Sequence, residues 1–228
     1  MNAYRDLVVA IDGTSGSGKS STSRGVAKAL GLRYLDTGAQ FRAMAVAMLK
    51  QGVDVHDAAA VAAYASTPVV ESGTDPDNPT ILLDGVDVEV DIRGGEATAA
   101  VSPVATVPQV RERLLHLQRD IIGDGGIVVE GRDIGSVVAP GADLKIYLSA
   151  DPAARAERRA LEAGGDVQTT EAELLRRDTI DSSRETAPLV VPDGAIHVDS
   201  TFENLEQVIA RIVGLAEEVT ATRSATHG

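Results

Sequence analysis

The sequence predicts an α/β fold with a parallel sheet, and three observations support that prediction. An apolar, β-branched run at residues 7–11, LVVAI, is followed at once by a glycine-rich turn and a helical pattern. Strand-type and helix-type segments then alternate along the chain, which is the order of βαβ units with right-handed crossovers. With 228 residues and 43% hydrophobic composition, the chain is long enough for one sizeable core and a small appended subdomain.

The first elements in chain order are a strand, a helix, a second strand and a second helix. The helix after the glycine-rich turn runs to Leu30, and Gly31 is its predicted stop because glycine readily adopts the left-handed conformation that ends helices. A short strand is predicted at residues 33–35 and a helix at residues 38–50, which Gly52 closes. A strand that follows a helix in this way is expected to lie parallel to the strand before it.

Residues 68–90 differ from the rest of the chain, because short β-type runs alternate there with Gly, Pro, Asn and Asp. Asp84-Gly85, between two apolar runs, is typical of a two-residue hairpin turn. The segment therefore predicts a small antiparallel insert at about residues 67–92.

The later elements return to the α/β pattern. Asp151 is the predicted N-cap of a helix, with Pro152 at its first position. In chain order the predicted elements are a helix at 107–122, strands at 127–130 and 144–148, the helix after Asp151, a break at Gly164-Gly165, a helix at 170–183, a strand at 195–198, a helix at 202–218 and a disordered tail at 220–228.

The composition excludes several kinds of site and partner. The chain contains no cysteine, which excludes disulfides, thiolate metal sites and a cysteine nucleophile. Its net charge of -13 opposes nucleic-acid binding, because that binding depends on neutralising phosphates with basic residues. No apolar run approaches the roughly 20 residues of a membrane-spanning helix, and the first residues do not fit a cleaved signal. We therefore expect a soluble, cytoplasmic protein with no nucleic-acid or membrane partner.

Residues 13–20, GTSGSGKS, fit the phosphate-loop pattern G-x-x-x-x-G-K-[ST], with a strand before them and a helix after them. Glycines let several backbone N–H groups converge on phosphate oxygens, and the helix N-terminus adds partial positive charge. Lys19 is expected to bind the β- and γ-phosphates of ATP, and the hydroxyl of Ser20 or Ser21 to bind Mg²⁺. The alternative is a turn that only links the strand to the helix. The predicted nucleotide-binding residues are Gly13, Thr14, Ser15, Gly16, Ser17, Gly18, Lys19, Ser20 and Ser21.

A second segment indicates an acceptor that carries its own phosphate. The guanine-specificity pattern N-K-x-D does not occur, which argues against a GTPase. The segment LDTGAQFR follows the second strand, at the edge where open α/β sheets bind ligands, and Arg42 lies in the first turn of the next helix. The alternative is a helix cap by Asp36 or Thr37 with a solvated Arg42.

A third segment, VEGRDIG, ends the predicted strand at residues 127–130 and carries Arg132 and Asp133. A carboxylate can accept the exocyclic amine of cytosine and repel the keto oxygen of uracil, while arginine donates to neighbouring acceptors. The pair therefore indicates a cytosine base, and the alternative is a salt-bridged pair in a loop. Glu130, at the strand end, is expected to face Mg²⁺ through water.

Arginines cluster on both sides of the Gly164-Gly165 break, and such a cluster repels itself unless anions lie between its members. A hinged helical hairpin of this charge suits a lid that closes over the transferring phosphoryl group and excludes water. The alternative is that the arginines pair with neighbouring acidic residues such as Asp178. The arginines in question are Arg155, Arg158, Arg159, Arg176, Arg177 and Arg184.

The order and spacing of IDGTSGSGKSS, YLDTGAQFRA, VVEGRDIGSVVAP and RRDTIDSSRETAPL resemble the bacterial cytidylate kinases, and the resemblance covers nearly the whole chain. It implies a P-loop nucleoside monophosphate kinase fold: a five-stranded parallel sheet flanked by helices, a small antiparallel insert and a short helical lid. It implies transfer of the γ-phosphoryl group of ATP to CMP or dCMP with Mg²⁺, in pyrimidine metabolism, by a monomer. The implied domains are a core at 1–36, 107–150 and 185–228, a monophosphate-binding subdomain at 37–106 and a lid at 151–184.

The resemblance also implies roles for residues at matching positions. Thr37 and Phe41 stand where family members often have serine and tyrosine, so a hydroxyl contact from position 41 is lost. The implied acceptor contacts are Ser102, Arg111 and Asp133 with the base, Arg177 and Asp181 with the ribose, and Arg42, Arg132 and Arg184 with phosphate, in a site that also includes Asp36, Thr37 and Phe41. The implied catalytic residues are Lys19, Arg132, Arg155, Arg158, Arg159 and Arg184.

Two competing functions stay open at the level of sequence. Another P-loop kinase for a small acceptor, such as a UMP/CMP, adenylate or shikimate kinase, shares the phosphate loop, although Arg132-Asp133 together with Ser102 and Arg111 favours cytosine. A nucleotide-binding switch that hydrolyses ATP slowly and signals through a partner needs no acceptor. Release of phosphate without an acceptor is the observation that supports the switch.

Overall fold

The computed structural model describes residues 4–163 and 165–226. Its strands are β1 (Val8–Gly13), β2 (Arg33–Asp36), β3 (Val70–Ser72), β4 (Ile81–Leu83), β5 (Val86–Asp87), β6 (Ile127–Gly131), β7 (Leu144–Ser149) and β8 (Ile196–Asp199). Within the described residues, one five-stranded sheet has the order β2-β6-β1-β7-β8. Strand β1 pairs in parallel with β6 and β7, and β7 pairs in parallel with β8. The predicted parallel sheet is therefore confirmed.

One or two helices follow most strands of the five-stranded sheet along the chain. They are α1 (Lys19–Leu30), α2 (Thr37–Lys50), α3 (Ala58–Tyr64), α4 (Gly95–Thr106), α5 (Pro108–Ile122), α6 (Pro152–Ala163), α7 (Val167–Ser183) and α8 (Leu205–Thr226). Helix α1 ends at the predicted residue, because Gly31 has φ 64° and its N–H bonds the carbonyls of Ala27 and Lys28. Gly164, the first of the two glycines at the predicted lid break, lies outside the described residues.

The predicted antiparallel insert is also present. Strands β3, β4 and β5 form a second sheet, and Leu83 pairs with Val86 across the turn. Asp84 has φ 52° and Gly85 has φ 77°. Two positive φ values in a two-residue loop define the turn whose twist matches that of the strands, which is why Asp-Gly predicts it.

The C-terminal helix differs from the prediction. Helix α8 continues to Thr226, whereas a helix to residue 218 and a disordered tail were expected; residues 227–228 lie outside the described part. Arg223 forms ion pairs with Asp6, at 3.2 Å, and with Asp143, at 3.0 Å. These partners are distant in sequence, so local composition carries no signal of them. No helix of residues 4–163 and 165–226 has both the length and the apolar character that crossing a bilayer requires.

The chain divides into two compact units. The first unit comprises Met1–Tyr34 and Asp124–Gly228, and the second comprises Leu35–Gly123. Helix α5, assigned to the core domain from sequence, belongs to the second unit, where it packs on α4. The boundaries predicted for the lid stay a prediction.

Each unit has its own apolar core. In the first unit, sheet residues such as Ile11 and Ile146 pack with Val26 of α1 and Ile212 of α8, and all four are fully buried. The core of the second unit includes Met44 and Met48 of α2, Val104 of α4 and Leu114 of α5. Burying each such side chain contributes about 1.5–3 kcal/mol. The core of the first unit thereby fixes the carboxyl ends of its parallel strands.

Candidate active site

The phosphate-loop pattern lies between the end of β1 and the start of α1, as predicted. Gly18, with φ 84°, is the N-cap of α1 in the left-handed conformation that glycine adopts without strain. At Gly13, with φ 154°, a Cβ atom would lie 2.0 Å from the backbone oxygen of Leu148. Side chains at positions 13 and 18 would therefore strain or displace the loop, which explains the glycine spacing.

Lys19 begins α1 and is only 6% exposed. Its Nζ donates to the backbone oxygen of Thr14 at 2.6 Å, so the amine lies against the loop. Burial, together with the charge of Arg132, lowers the pKa of Lys19 to about 7, against the opposing effect of Glu130. An approaching anion would favour the charged form, and this buried amine is therefore suited to binding phosphate.

The other side chains of the loop are partly buried and partly exposed. Among the described residues, Thr14 Oγ1 is buried without a hydrogen-bond partner. An unpaired buried hydroxyl is costly until a polar ligand reaches it. Ser17 Oγ donates to the Thr14 carbonyl at 3.0 Å, and Gly16 is exposed with φ 74°. Ser20 and Ser21 are exposed on the first turn of α1.

The side chains of the phosphate loop and α1 fit a Mg²⁺ ion that binds together with a nucleotide. In the part of the chain that the structure describes, no group of three or more His, Asp or Glu side chains could hold a metal ion. Mg²⁺ is commonly held by one or two protein oxygens together with substrate phosphates and water. The exposed hydroxyls of Ser20 and Ser21 match that mode. Glu130, predicted to face Mg²⁺ through water, accepts a hydrogen bond from the hydroxyl of Tyr34.

Four charged side chains, two directly after β6, one on α7 and one at the C-cap of α7, form an alternating network. Arg132 Nε donates to Asp181 Oδ2 at 3.0 Å, and Asp181 Oδ1 lies 3.7 Å from Arg184 Nη1. Arg184 Nη2 in turn lies 3.7 Å from Asp133 Oδ1. All four side chains are at least four-fifths buried. Residues predicted from separate sequence motifs are thus brought together, but the ion pairs run between β6 and α7 rather than from Arg132 to Asp133.

The neighbouring carboxylates favour the charged form of Arg132. Burial opposes the charge of Arg132, but Asp181 and Asp178 outweigh burial and raise its pKa. Two arginines alternate with two aspartates, so the cluster can exist without an anion. Arg177, the implied ribose contact, is half-buried on α7.

The lid arginines on α6 differ from one another. Arg155 is 3% exposed, and its Nη1 donates to the Ser15 carbonyl and to Asp178 Oδ2, each at 2.6 Å. Asp178 Oδ1 accepts from the N–H of Ser15 at 2.8 Å. Arg158 Nη2 donates to the carbonyls of Ser200 and Thr201, at 2.6 and 3.1 Å. Arg155 therefore follows the alternative of pairing with an acidic neighbour, and both arginines bind protein groups.

Arg159 lies exposed on α6. Arg155 and Arg159 lie four residues apart on α6, but only Arg155 is buried. The predicted contact of the lid arginines with a transferring phosphoryl group stays a prediction.

In the second unit, the segment after β2 begins α2. Asp36 Oδ1 accepts from the N–H of Ala39 at 2.9 Å, which makes Asp36 an N-cap, as the structural alternative proposed. Arg42 is half-buried and donates to the carbonyl of Ile92 and to Thr98 Oγ1. Arg42 is thus held by α4 and the segment before it, which differs from a solvated arginine.

The implied base contacts of the second unit lie on α4 and α5. Arg111 is 7% exposed, and its guanidinium carbon lies 5.1 Å from the centre of the Phe41 ring. Its Nη1 also donates to the carbonyl of Ala105 at 3.1 Å. Stacking on an aromatic face and a backbone acceptor fix the guanidinium plane. Ser102 and Thr37 are buried in the same unit.

Sequence reasoning missed two aspartates. Asp12, fully buried at the end of β1, accepts hydrogen bonds from the N–H groups of Ile134 and Gly135, and burial raises its pKa to about 6. Asp178 joins Ser15 to Arg155. An acidic residue that ends an apolar strand beside a phosphate loop was the available signal for Asp12. Asp178 appeared only as a possible partner for the arginines.

Comparison with known proteins identifies the family of the chain. The family model described as Cytidylate kinase matches residues 9–218. A cytidylate kinase of Streptomyces avermitilis is 53% identical over 95% of both chains. A cytidylate kinase of Nocardia farcinica is 47% identical, over 99% of this chain and 100% of the relative. A crystal structure of a gluconokinase from Sinorhizobium meliloti 1021 matches the fold with a TM-score of 0.50 at 15% identity, covering 99% of each chain.

Proposed function

The chain belongs to the cytidylate kinase family, and from that membership we propose how its own residues carry phosphoryl transfer from ATP to CMP or dCMP. One observation carries the proposal. A phosphate loop and a buried network of two arginines and two aspartates occur in the same unit, and the charge of Arg132 acts on the amine of Lys19. Groups close enough to affect each other electrostatically can act on donor and acceptor phosphates together.

The donor is held by residues 13–21. The N–H groups of the loop and the start of α1 bind phosphate oxygens, and Lys19 binds the β- and γ-phosphates. The buried hydroxyl of Thr14, which lacks a partner among the described residues, supports a polar ligand at this loop. Arg155 and Asp178 act on the donor indirectly, because both bond the backbone of Ser15.

The chemistry rests on alignment and charge. An oxygen of the acceptor phosphate attacks the γ-phosphorus and ADP leaves, and no general base is needed because that phosphate is mostly ionised near neutral pH. Arg132 and Arg184 bind the acceptor phosphate and neutralise charge that spreads over the transferring group. Arg159, exposed on α6, keeps its predicted role as a lid contact, while Arg158 supports the lid from the carbonyls of Ser200 and Thr201.

The residues proposed to recognise cytidine monophosphate follow from the family membership. Asp133 contributes to the base, and Asp181 and Arg177 to the ribose. Arg111 and Ser102 are also proposed to bind the base. The buried guanidinium of Arg111, stacked on the Phe41 ring, supports that role, because a fixed donor plane discriminates between acceptor patterns. The remaining acceptor contacts proposed for the second unit are Arg42, Thr37, Phe41 and, through the cap of α2, Asp36.

Mg²⁺ is proposed to bind through a hydroxyl on the first turn of α1. The serine directly after the phosphate-loop lysine is the usual ligand, which favours Ser20 over Ser21. Replacing Ser20 with alanine is expected to raise the Mg²⁺ concentration for half-maximal activity by about tenfold, and by more than replacing Ser21 does. Titration of each variant with Mg²⁺ at saturating ATP measures the difference. A larger shift for Ser21→Ala would reassign the ligand.

Binding of ATP is expected to take up a proton. The pKa of Lys19 is lowered to about 7, so most of its amine is neutral at about pH 8. Phosphate oxygens favour the ammonium form and raise that pKa, so uptake approaches one proton at about pH 8 and falls towards zero at about pH 6. Calorimetry in two buffers of different ionisation enthalpy measures the uptake. Loss of the pH dependence in Lys19→Met assigns it to this residue, and uptake that is unchanged in that variant contradicts the assignment.

The proposed function is tested by following both products of one reaction. Incubation with ATP, Mg²⁺ and CMP is expected to form ADP and CDP in equal amounts. ADP and inorganic phosphate without CDP would instead indicate hydrolysis. Cytoplasmic location and a monomeric state stay predictions, and sedimentation of the purified protein tests the second.

A further inference from the structure

Asp12 forms a paired contact that the proposed mechanism does not use. It is the residue before Gly13, at the carboxyl end of β1, and it is 0% exposed. Its Oδ1 accepts the N–H of Ile134 and its Oδ2 accepts the N–H of Gly135, each at 2.7 Å. One carboxylate therefore binds two successive amides of a segment more than a hundred residues away in sequence.

Only a carboxylate satisfies both amides. Asparagine has one accepting oxygen, and its amide nitrogen would point a donor at the second N–H. Burial of a carboxylate is unfavourable, and here it raises the pKa of Asp12 to about 6 in spite of the two bonds. A neutral side chain would be easier to bury at position 12 than a carboxylate. The presence of Asp12 there therefore indicates a function for its two hydrogen bonds.

The segment that Asp12 binds carries two residues of the acceptor site. Ile134 and Gly135 directly follow Arg132 and Asp133, which pair with Asp181 of α7 and with Arg184 at its C-cap. A Cβ atom at Gly135 would lie 3.3 Å from Asp12 Oδ2 and 3.0 Å from Pro192, so glycine allows the close approach. The position of these two amides sets where the side chains of Arg132 and Asp133 begin.

We propose that Asp12 is a positioning residue. Its two hydrogen bonds hold the acceptor loop, residues 132–135, against the end of β1, the strand that leads into the phosphate loop. The inference rests on the acceptor roles proposed for Arg132 and Asp133. It assigns no contact between Asp12 and either substrate. Asp12 acts through the backbone, because it keeps Arg132 at a fixed position relative to the phosphate loop.

Protonation of Asp12 should weaken its hydrogen bonds to Ile134 and Gly135. A protonated carboxyl turns one accepting oxygen into a hydroxyl, so one of the two N–H bonds is lost or weakened. The ionisable groups that act on Asp12 are Asp133 after β6, which disfavours its charge, and Lys19 of α1, which favours it. Tyr147 of β7 also senses the charge of Asp12. Because the pKa of Asp12 is raised to about 6, both hydrogen bonds are present when the pH is well above 6, and one is lost as the pH falls through that value.

The test compares Asp12→Asn with Asp143→Asn. Asp143 Oδ2 accepts the N–H of Val8 at 2.8 Å, so it makes the same kind of bond at the other end of β1. We expect Asp12→Asn to raise the KM for CMP by about ten- to a hundredfold and to lower kcat. The Kd for ATP should rise by a much smaller factor than the KM for CMP, because Lys19 and the loop glycines keep their contacts and lose only a weak electrostatic effect of Asp12. Asp143→Asn should leave the KM for CMP unchanged.

The pH profile separates positioning from general support. The phosphate of CMP titrates near pH 6 as well, but that titration is common to all variants and cancels in ratios. The ratio of wild-type kcat/KM to that of Asp12→Asn should fall as the pH drops below about 6, whereas the ratio to Asp143→Asn should stay level. Gly135→Ala leaves the carboxylate of Asp12 in place but puts a methyl group 3.0 Å from Pro192 and 3.3 Å from Asp12 Oδ2, which displaces the residue that Asp12 binds. This variant should also raise the KM for CMP selectively, and it is the test to use if Asp12→Asn does not fold.

Three results would overturn the inference. The first is a KM for CMP that is the same in Asp12→Asn, Gly135→Ala and Asp143→Asn. The second is an equal loss of affinity for ATP and for CMP in Asp12→Asn. The third is a pH profile of Asp12→Asn identical to that of Asp143→Asn. Asp133→Ala, measured in parallel, separates this failure from that of the proposed function. An unchanged KM in Asp133→Ala removes the acceptor role of the loop itself. A raised KM in Asp133→Ala with none in Asp12→Asn removes only the inference.

Discussion

Replacing Lys19 with alanine is expected to reduce kcat by about a thousandfold or more. Lys19 is the buried amine of the phosphate loop, 2.6 Å from the Thr14 carbonyl, and bound phosphate favours its charged form. The transferring phosphoryl group has a loose, highly charged transition state, and a preorganised cation in a site shielded from water stabilises that charge strongly. Steady-state rates with saturating ATP, Mg²⁺ and CMP measure the loss.

The control for this prediction is Lys28→Ala. Lys28 lies exposed in the last turn of the same helix, so its removal changes the net charge equally without touching the loop. Turnover in Lys28→Ala should equal that of the wild type. If Lys19→Ala also stays within a few-fold of the wild type, the assignment of this loop to the donor phosphates is wrong.

Replacing Arg132 with methionine is expected to lower kcat/KM for CMP by about a hundred- to a thousandfold, the range seen when one preorganised donor to a transition state is removed. Arg132 is held by Asp181 at 3.0 Å, and neighbouring carboxylates raise its pKa, so its charge is permanent and its direction is fixed. Methionine keeps much of the volume but donates no hydrogen bond. The Kd for ATP, measured separately, should change far less than the KM for CMP.

Part of the effect of this variant could come from stability, because Asp181 is left buried without one of its two arginines. Arg113→Met controls for the loss of a structural arginine, since Arg113 donates to the carbonyls of Ala65 and Pro68 in the second unit. The double variant Arg132→Met, Asp181→Asn removes the uncompensated charge. Activity that returns in the double variant would mean that Arg132 acts on the fold rather than on the acceptor.

Much of the fold follows from local patterns. The phosphate loop was recognised because glycines at fixed spacing, a strand before them and a helix after them all serve one backbone shape. The hairpin at Asp84-Gly85 was recognised because a two-residue loop needs positive φ values. Helix α4 was missed, and its segment contains two glycines near the start and Pro103 inside, which local propensity disfavours.

The site was predictable as a set of residues but not as a set of contacts. Arg132, Asp133, Asp181 and Arg184 were all selected from sequence, yet their pairing depends on how α7 packs against the end of β6. The same holds for Asp12, whose bonds to Ile134 and Gly135 join positions that no local rule relates. Contacts of this kind arise only when parallel strands bring their carboxyl ends together.

The measurement that tests the account most directly is ADP formation with ATP and Mg²⁺ across a panel of CMP, dCMP, UMP, AMP, GMP and shikimate. We expect activity with CMP and dCMP alone, because Asp133 and Arg111 are proposed to read the cytosine base. Equal use of UMP would keep the kinase but contradict the base-reading role given to Asp133 and Arg111. ADP formation independent of every acceptor would contradict the account as a whole.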